Sequence, residues 1–275
     1  MFDKRLRTLV LDAVERIEVA MRVEVSHTLG QLGAFAHLRP DLLHEDFAVR
    51  MHPSICLAGH HQWCAKQAQL IGRSREEFVK HNKAKYGLPL AIWVACEVWD
   101  FGTMSTLYNG MRIAKQDGIA RRFGVSDGRV FASWLRSLNY LRNVCAHHSR
   151  LWNRKVIDQP KLPPVAEVAW VDSFDKNHRL RARCFLLLCL CLCLCLCLCL
   201  CLCLCRHVLR VVNTCSTWPE RVKEHLPAFP NLDHAGLSLS AMGVPDNWGD
   251  SWQHVETKNP SAVVPLAQQN REGPC

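Results

Sequence analysis

The sequence predicts an all-α fold, and three observations support this prediction. Apolar residues recur at intervals of three and four from residue 3 to residue 29, which is the spacing of one helix face. A second such pattern begins after Ser126, a residue type that caps helices, and continues to about Asn153. Runs that alternate apolar and polar residues, which would indicate β-strands, are scarce.

The remaining elements follow from period, caps and helix breakers. Several Gly and Pro residues make residues 30–53 a looser connection, and the Gly-rich and Pro-rich chain after Pro227 predicts little regular structure. We expect one helix over residues 60–71 and a second that starts at Ser74, where Glu77 completes a capping box. A third covers residues 90–99, with an interruption near Gly102, and a short helix lies near Ile119. The last starts at Thr217, where Glu220 completes a second capping box and Pro219 lies in the first turn.

The composition indicates a globular protein from a reducing compartment. Of the 275 residues, 49% are hydrophobic and 21% charged, which excludes a disordered chain. The net charge of +9 favours polyanionic partners but is mild for a dedicated nucleic-acid binder. Nine of the sixteen cysteines alternate with leucine over residues 188–205, where neighbours cannot easily pair. The N-terminus is charged and has no secretory signal, so we expect a cytoplasmic protein.

One helix brings together the residues that could act on a substrate. On a wheel at about 100° per residue, residues 126–153 divide into an apolar and a polar side. The apolar side, which we predict to face the core, contains Phe131, Trp134, Leu138, Leu141, Cys145, His148 and Trp152. The polar side contains Arg136, Asn139, Asn143, His147 and Arg150, and Arg142 lies at the border.

Two side chains of this helix have the chemistry that metal-free RNA cleavage requires. A histidine can exchange a proton near neutral pH, and an arginine fork can offset the charge that builds on a phosphate. Arg142 and His147 point about 140° away from each other on a straight helix, so a second copy across a two-fold axis would be needed to complete a tight site. A polar helix face is also what a bundle presents to solvent, and spacing alone does not separate the two interpretations.

Residues 142–147, RNVCAH, resemble the Arg-x-x-x-x-His signature of HEPN domains, including the Asn that commonly follows the Arg. The longer string LNYLRNVCAHHSRLWNR, residues 138–154, is similar to the AbiD/AbiF-like abortive-infection (Abi) proteins of bacteria. Other strings that match this family are ERIEVAMR (15–22), SREEFVKHNKAKYG (74–87), IARRFGV (119–125), STWPERVKEHL (216–226) and MGVPDNW (242–248). The resemblance therefore covers nearly the whole chain.

The resemblance implies a HEPN-type helical bundle over residues 1–226, often dimeric, followed by an irregular C-terminal tail over residues 227–275. It implies a toxin of phage defence that cleaves RNA through the ribose 2′-hydroxyl, with no metal and no cofactor. RNA is then the substrate, a second copy of the chain is the partner, and a further RNA or protein could restrain the toxicity.

The signature also assigns roles to residues by match. Arg142 and His147 would form the catalytic pair, and Asn143 would help to orient the site. We expect the other basic residues on this helix and just beyond it to bind RNA: Arg136, Arg150 and Arg154.

Two features depart from the family pattern. Family members usually have a further segment before the helix that starts here at Asp3, so we expect a chain shortened at the N-terminus. The Leu-Cys repeat at residues 188–205 resembles a dipeptide expansion within a core helix. Residues 184–205 are also long enough to span a membrane, with arginines on both sides. The strict repetition argues against an evolved span, and we expect no membrane association.

Other classes of function stay open beside RNA cleavage. The signature helix could belong to a non-catalytic module that binds RNA or mediates dimerisation. Residues 119–138 also resemble a helix-turn-helix, the pattern of a DNA-binding protein, although the second helix continues without a break into the signature. Four residues of metal-binding type lack the second pair of ligands that a structural zinc site needs: Cys56, His60, His61 and Cys64.

Overall fold

The computed structural model describes residues 1–54, 56–151, 160, 161, 163, 164, 167 and 217–230. These residues are helical and contain no β-strand, which confirms the predicted all-α fold class. Two isolated antiparallel bridges, Leu43–Met111 and Met51–Ala58, connect loops within the same ranges. No helix among the described residues has the length and apolar content needed to cross a membrane.

The helices are numbered in chain order within the described ranges. They are α1 (Phe2–Gly30), α2 (Glu45–Ala48), α3 (Gly59–Arg73), α4 (Glu77–Tyr86), α5 (Ile92–Ala95), α6 (Phe101–Gly110), α7 (Ile113–Arg122), α8 (Gly128–Ala146) and α9 (Trp218–His225). Short 3₁₀ turns cover Ala36–Leu38, Pro40–Leu42, Cys96–Val98 and Leu226–Ala228.

Helix α1 lies at the centre of the bundle because its apolar positions keep the helical period along its whole length. It packs against α5, α6, α7, α8 and α9. Burial of each large aliphatic side chain stabilises the fold by about 1.5–3 kcal/mol, so this one stripe accounts for a large part of the core. The buried residues of the stripe are Leu6, Val10, Ala13, Val14, Ile17, Met21, Val25 and Leu29.

Helix α8 is enclosed by α1, α6 and α7. Phe131 stacks on Phe123 with ring centroids 5.0 Å apart and meets Tyr108 edge-on at 5.7 Å. The Tyr108 hydroxyl donates to the backbone oxygen of Gln116 at 2.9 Å, which ties α6 to α7. The predicted core side of this helix is confirmed as far as Cys145; its buried members are Phe131, Trp134, Leu138, Leu141 and Cys145.

Helix α9, distant in sequence, completes the packing around α1. The Trp218 indole N–H donates to the backbone oxygen of Leu9 at 2.7 Å, and the His225 ring stacks on Phe2 with centroids 4.4 Å apart. The helix predicted from residue 217 is therefore confirmed, with Pro219 in its first turn.

The predicted N-cap of α8 is wrong by one residue. Asp127 caps the helix, and its carboxylate accepts the Arg129 backbone N–H at 2.7 Å. Ser126 instead donates its hydroxyl to a Glu167 carboxylate oxygen at 2.9 Å. Both serine and aspartate cap helices, so the sequence does not show which of the two is the N-cap. The N-cap is decided by the residue at which the backbone becomes helical and by the contacts of the preceding loop.

The two predicted capping boxes do not form. Helix α4 begins at Glu77 itself, and the Ser74 hydroxyl only accepts the Glu76 N–H at 3.4 Å in the preceding turn. Thr217 is the N-cap of α9 but makes no side-chain cap hydrogen bond. The motif predicts where a helix starts, whereas the reciprocal bonds also need the right rotamers.

The apolar segment at residues 90–99 is not the single helix that its composition predicts. It forms the one-turn helix α5 and a 3₁₀ turn, and Gly102 lies inside α6 instead of interrupting a helix. Asp100 causes the division, because its carboxylate accepts the Thr103 backbone N–H at 2.6 Å and starts a new helix.

Several expectations fall on residues outside the described ranges. These are the Leu-Cys repeat at 188–205, most of the tail after residue 227, and the positions of Trp152 and Arg154.

His37 is an unusual part of the core. Its side chain is buried, and neither ring nitrogen has a hydrogen-bond partner among the described residues. It lies between Trp63 and Trp99, with ring centroids 6.1 and 5.9 Å away. Burial, with a smaller contribution from His60, lowers the pKa of His37 from 6.5 to about 4. The imidazole is therefore neutral in the folded protein at neutral pH.

This lowered pKa predicts a loss of stability in mild acid. The unfolded chain takes up the His37 proton near pH 6.5 and the folded chain only near pH 4, so stability falls as the pH decreases through this window. The free energy of unfolding should be about 2–3 kcal/mol lower at pH 4.5 than at pH 7 because of this residue. Urea unfolding of the full chain and of His37→Leu at both pH values measures the difference.

His61→Leu is the matched control, because His61 lies on the exposed side of α3. The explanation fails if His37→Leu retains the acid sensitivity of the parent chain while His61→Leu removes it.

Candidate active site at the C-terminal end of α8

Helix α8 ends at Ala146, seven residues before the predicted end at residue 153. His148 adopts φ 54°, in the left-handed region. Its N–H donates to the Cys145 carbonyl at 3.1 Å, and the Ser149 N–H donates to the Val144 carbonyl at 3.1 Å. These two bonds form a Schellman motif, which usually has glycine in the left-handed position. Because histidine occupies this position here, the sequence contains no glycine that would indicate the end of the helix.

The turn changes the predicted environment of two histidines. His147 is the C-cap of α8, and its N–H still donates to the Asn143 carbonyl at 3.0 Å. His148, which the wheel placed in the core, is exposed. This prediction is wrong because the left-handed residue carries the chain out of the helical period before the core stripe reaches it.

The chain beyond the turn is anchored to the first turn of α1. The Leu151 N–H donates to an Asp3 carboxylate oxygen at 3.0 Å, and an Arg7 guanidinium N–H donates to the Ser149 carbonyl at 3.4 Å. Asp3 and Arg7 also form an ion pair with each other. These contacts hold the segment with His147 and His148 against the bundle.

The predicted site residues of α8 lie at accessible positions. Asn143 and His147 are exposed, and Arg142 is half-buried at the border of the two faces, as the wheel predicts. An Arg142 guanidinium N–H donates to the Asn143 side-chain oxygen at 3.5 Å. Arg136 and Arg150 are also exposed. No hydrogen bond joins Arg142 to His147 in the part of the chain described.

Two charged residues of α1 belong to the same region. Glu18 and Arg22 form an ion pair of 2.5 Å, and Arg22 also donates to the Trp99 backbone oxygen at 2.7 Å. Burial raises the pKa of Glu18, while the charges of Arg22 and Arg142 lower it in part. Glu18 therefore forms an ion pair with Arg22 and is within electrostatic range of Arg142, which relates the middle of α1 to α8.

Glu18 and Arg22 are not among the site residues that the sequence predicts. Both lie in the string at residues 15–22 that resembles the family. Glu18 is only 9% exposed. A charged pair four residues apart on a helix is common, so only the proximity of Arg142 distinguishes this pair.

Asp100 extends the charged region toward α3 and α6. Although burial raises the pKa of Asp100, hydrogen bonds from Lys66 and Thr103 lower it below its ordinary value. The Lys66 ammonium lies 2.9 Å from the carboxylate. A Cβ on Gly102 would lie 3.4 Å from Asp100 Oδ1 and 3.5 Å from Asn139 Nδ2, so Asn139 of α8 adjoins the same pair. Polar groups thus continue from the end of α8 to α3.

The geometry gives little support to a metal site or to a DNA-binding function. Cys64 Sγ lies 3.4 Å from His60 Nε2, but His60 is also bonded to the His37 carbonyl at 3.0 Å. Within the described ranges, no group of three or more His, Cys, Asp or Glu residues could hold a metal. The first turns of α8 expose Arg129 and Arg136, while their other residues are mostly buried, so little of this helix could enter a DNA groove.

The fold and site thus define a helical protein with an Arg-Asn-x-x-x-His sequence at the exposed end of a core helix. A sequence model of a family described as Abi-like protein matches residues 1–153. The chain therefore belongs to the Abi-like family, the abortive-infection proteins of phage defence. Searches of the curated proteins and of the solved structures each found no match.

The site region contains a cysteine whose reactivity the structure predicts. Cys145 is fully buried on α8, and burial raises the pKa of its thiol to about 12. Because the thiolate is the reactive form, Cys145 should stay unmodified by iodoacetamide at pH 8 in the folded protein, while the exposed Cys56 reacts. Peptide mass spectrometry of the alkylated full chain measures both. Urea should make the two cysteines react alike, and equal labelling without urea would contradict the described packing.

Proposed function

We propose that this Abi-like protein is a HEPN-type endoribonuclease that cleaves RNA without a metal. The observation that supports this best is the placement of Arg142, Asn143 and His147 together at the accessible end of α8. A core helix that buries its other face holds them, and a fixed turn follows. Preorganised groups of this kind stabilise a transition state without reorganisation during the reaction.

The proposed reaction is an internal transesterification. The ribose 2′-oxygen attacks the adjacent phosphorus, and the bond from phosphorus to the 5′-oxygen breaks, which leaves a 2′,3′-cyclic phosphate and a 5′-hydroxyl. One proton leaves the 2′-hydroxyl and another reaches the 5′-oxygen, and His147 is the residue of the site suited to exchange them. Arg142 offsets the charge on the phosphate oxygens, and Asn143 orients the guanidinium.

A dimer would assemble the complete site. Arg142 and His147 have no hydrogen bond to each other within the described residues, so a site with both groups at one phosphate would take one group from each copy. Val19 and Val23 of α1, 53% and 58% exposed, lie beside the Glu18–Arg22 pair and form an apolar contact for a second copy. Arg136 and Arg150 are accessible for contacts to the RNA backbone. Arg154 is proposed to bind RNA from its place in the signature string alone.

The competing proposal is a non-catalytic module in which the same surface binds RNA or a second copy. The buried Glu18 gives it some support, because a carboxylate within electrostatic range of Arg142 offsets part of the positive charge that a phosphate would meet. Cleavage assays separate the two proposals directly.

His147→Ala should abolish RNA cleavage while the fold is retained, because the side chain is exposed and outside the helix. His148→Asn is the matched control: it removes the neighbouring imidazole, and asparagine tolerates the left-handed backbone. We expect at least a hundredfold slower cleavage for the first variant and little change for the second, measured on labelled RNA with EDTA present. If His147→Ala cleaves as fast as the parent, the catalytic assignment is wrong.

A mixed-subunit experiment tests whether each site uses both copies. Arg142→Ala and His147→Ala should each be inactive alone. If one copy supplies Arg142 and the other His147, co-expression gives mixed dimers with one intact site, and activity should return to about a quarter of the parent value. Chains that are monomeric in sedimentation, or mixtures that stay inactive, would exclude a site shared in this way.

A further inference from the structure

A cleft separate from the end of α8 lies between α2, α3, α6 and the loop after α2. Its free volume is about 610 Å³. Binding sites for small organic ligands usually have about 300–1,000 Å³, so a nucleoside with its phosphate fits the space.

One wall of the cleft is aromatic and held in place. Phe47 packs against two glycines: a Cβ on Gly59 would lie 2.9 Å from its ring, and a Cβ on Gly110 only 2.2 Å. Trp63 lies beside it, with its indole N–H donated to the Thr103 carbonyl at 2.8 Å. Met51, 67% exposed, stands at the rim. Apolar and aromatic walls of this kind receive nucleobases in a sequence-tolerant way.

More than half of the residues that line the cleft are polar, and they include one carboxylate, that of Asp46. Lys66 and Arg50 are cations at its mouth, although each also has a carboxylate partner, at 2.9 Å and 2.6 Å. Gln62 presents an exposed amide. The Thr103 hydroxyl is buried next to Asp100 and makes no hydrogen bond of normal geometry within the described residues. Cations suit a phosphate, and an amide with a hydroxyl suits the edge of a base.

A chain of neighbouring polar groups leads from the cleft toward the proposed active site. Lys66 lines the cleft and pairs with Asp100, and the Asp100 carboxylate and the Asn139 amide both adjoin Gly102. Asn139 lies one helical turn before Arg142 and Asn143 on α8. An extended strand held at Arg142 can therefore follow one path past the Lys66–Asp100 pair into the cleft.

We propose that this cleft binds a nucleotide of the RNA strand beyond the scissile phosphate, with its base against Phe47 and its phosphate at Lys66. The inference rests on the proposed ribonuclease function and names a subsite for that substrate. A free mononucleotide has the same chemistry, so the experiment must distinguish it from a nucleotide within a strand.

Photo-crosslinking tests the placement independently of activity. A 2′-O-methyl RNA, which cannot undergo cleavage, carries 5-iodouracil at successive positions, and crosslinked peptides of the full chain are identified by mass spectrometry. We expect one position to crosslink within residues 45–66 and its neighbours within residues 128–151. Crosslinks confined to residues 128–151 would overturn the proposal.

Two variants and a control test the chemistry. Lys66→Met removes the cation, and Gln62→Trp fills the cleft from an exposed position without changing its charge. Lys80→Met is the matched control, because Lys80 is exposed and pairs with Glu77 at 2.6 Å on α4, a different helix. In fluorescence anisotropy with the same RNA, the first two should bind on the order of tenfold more weakly, and Lys66→Met should lower the salt slope by about 0.7. Equal effects of Lys66→Met and Lys80→Met would indicate general electrostatic attraction and overturn the subsite.

Competition and cleavage separate the remaining outcomes. If millimolar mononucleotide displaces the RNA from the cleft only weakly, the strand is the ligand, as proposed; if it binds as tightly as the RNA, a free nucleotide is the ligand and the proposal is wrong. Cleavage of unmodified RNA without crosslinks at residues 45–66 would retain the ribonuclease and reject the subsite. Crosslinks there without any cleavage would retain the subsite and reject the ribonuclease.

Discussion

The burial of α8 against α1, α6 and α7 is the interaction on which the rest of the protein depends. Phe131 is stacked on Phe123 and meets Tyr108 edge-on, and together these rings fix the rotation of α8 about its axis. Once that rotation is fixed, the face of α8 opposite the core must point away from the bundle. Arg142 and Asn143 therefore point outward because aromatic side chains at the other end of the helix are buried.

The C-terminal turn of α8 fixes where the helix ends and where the residues of the proposed site lie. A longer helix would continue past His147 and bury or realign the residues that follow. The left-handed His148 ends the helix instead, and the contacts of Leu151 and Ser149 to the first turn of α1 hold the new direction. Within the described residues Arg142 and His147 share no hydrogen bond, and the proposed two-copy site would take one of these groups from each copy.

Charge in this region is balanced within the chain and not simply positive. Glu18 pairs with Arg22 and is within electrostatic range of Arg142, and Asp100 pairs with Lys66. Each guanidinium or ammonium group is thus held in a defined position before a phosphate binds. The neighbouring carboxylate weakens the attraction of that group for the phosphate. Such an arrangement favours positioning over affinity, which suits catalysis better than tight binding of RNA. The aromatic cleft beyond Lys66 would supply the binding that the balanced charges do not.

The sequence alone determined the all-α fold, the long helix α1, the core stripe of α8 through Cys145 and the border position of Arg142. These features follow from apolar periodicity, which acts locally and repeats along the chain. Only the tertiary structure decided the end of α8 at Ala146, the exposure of His148, and the association of Glu18, Asp100 and Lys66 with the site. These depend on contacts between residues far apart in sequence and on one left-handed residue that is not glycine. No pattern within a single helix contains that information.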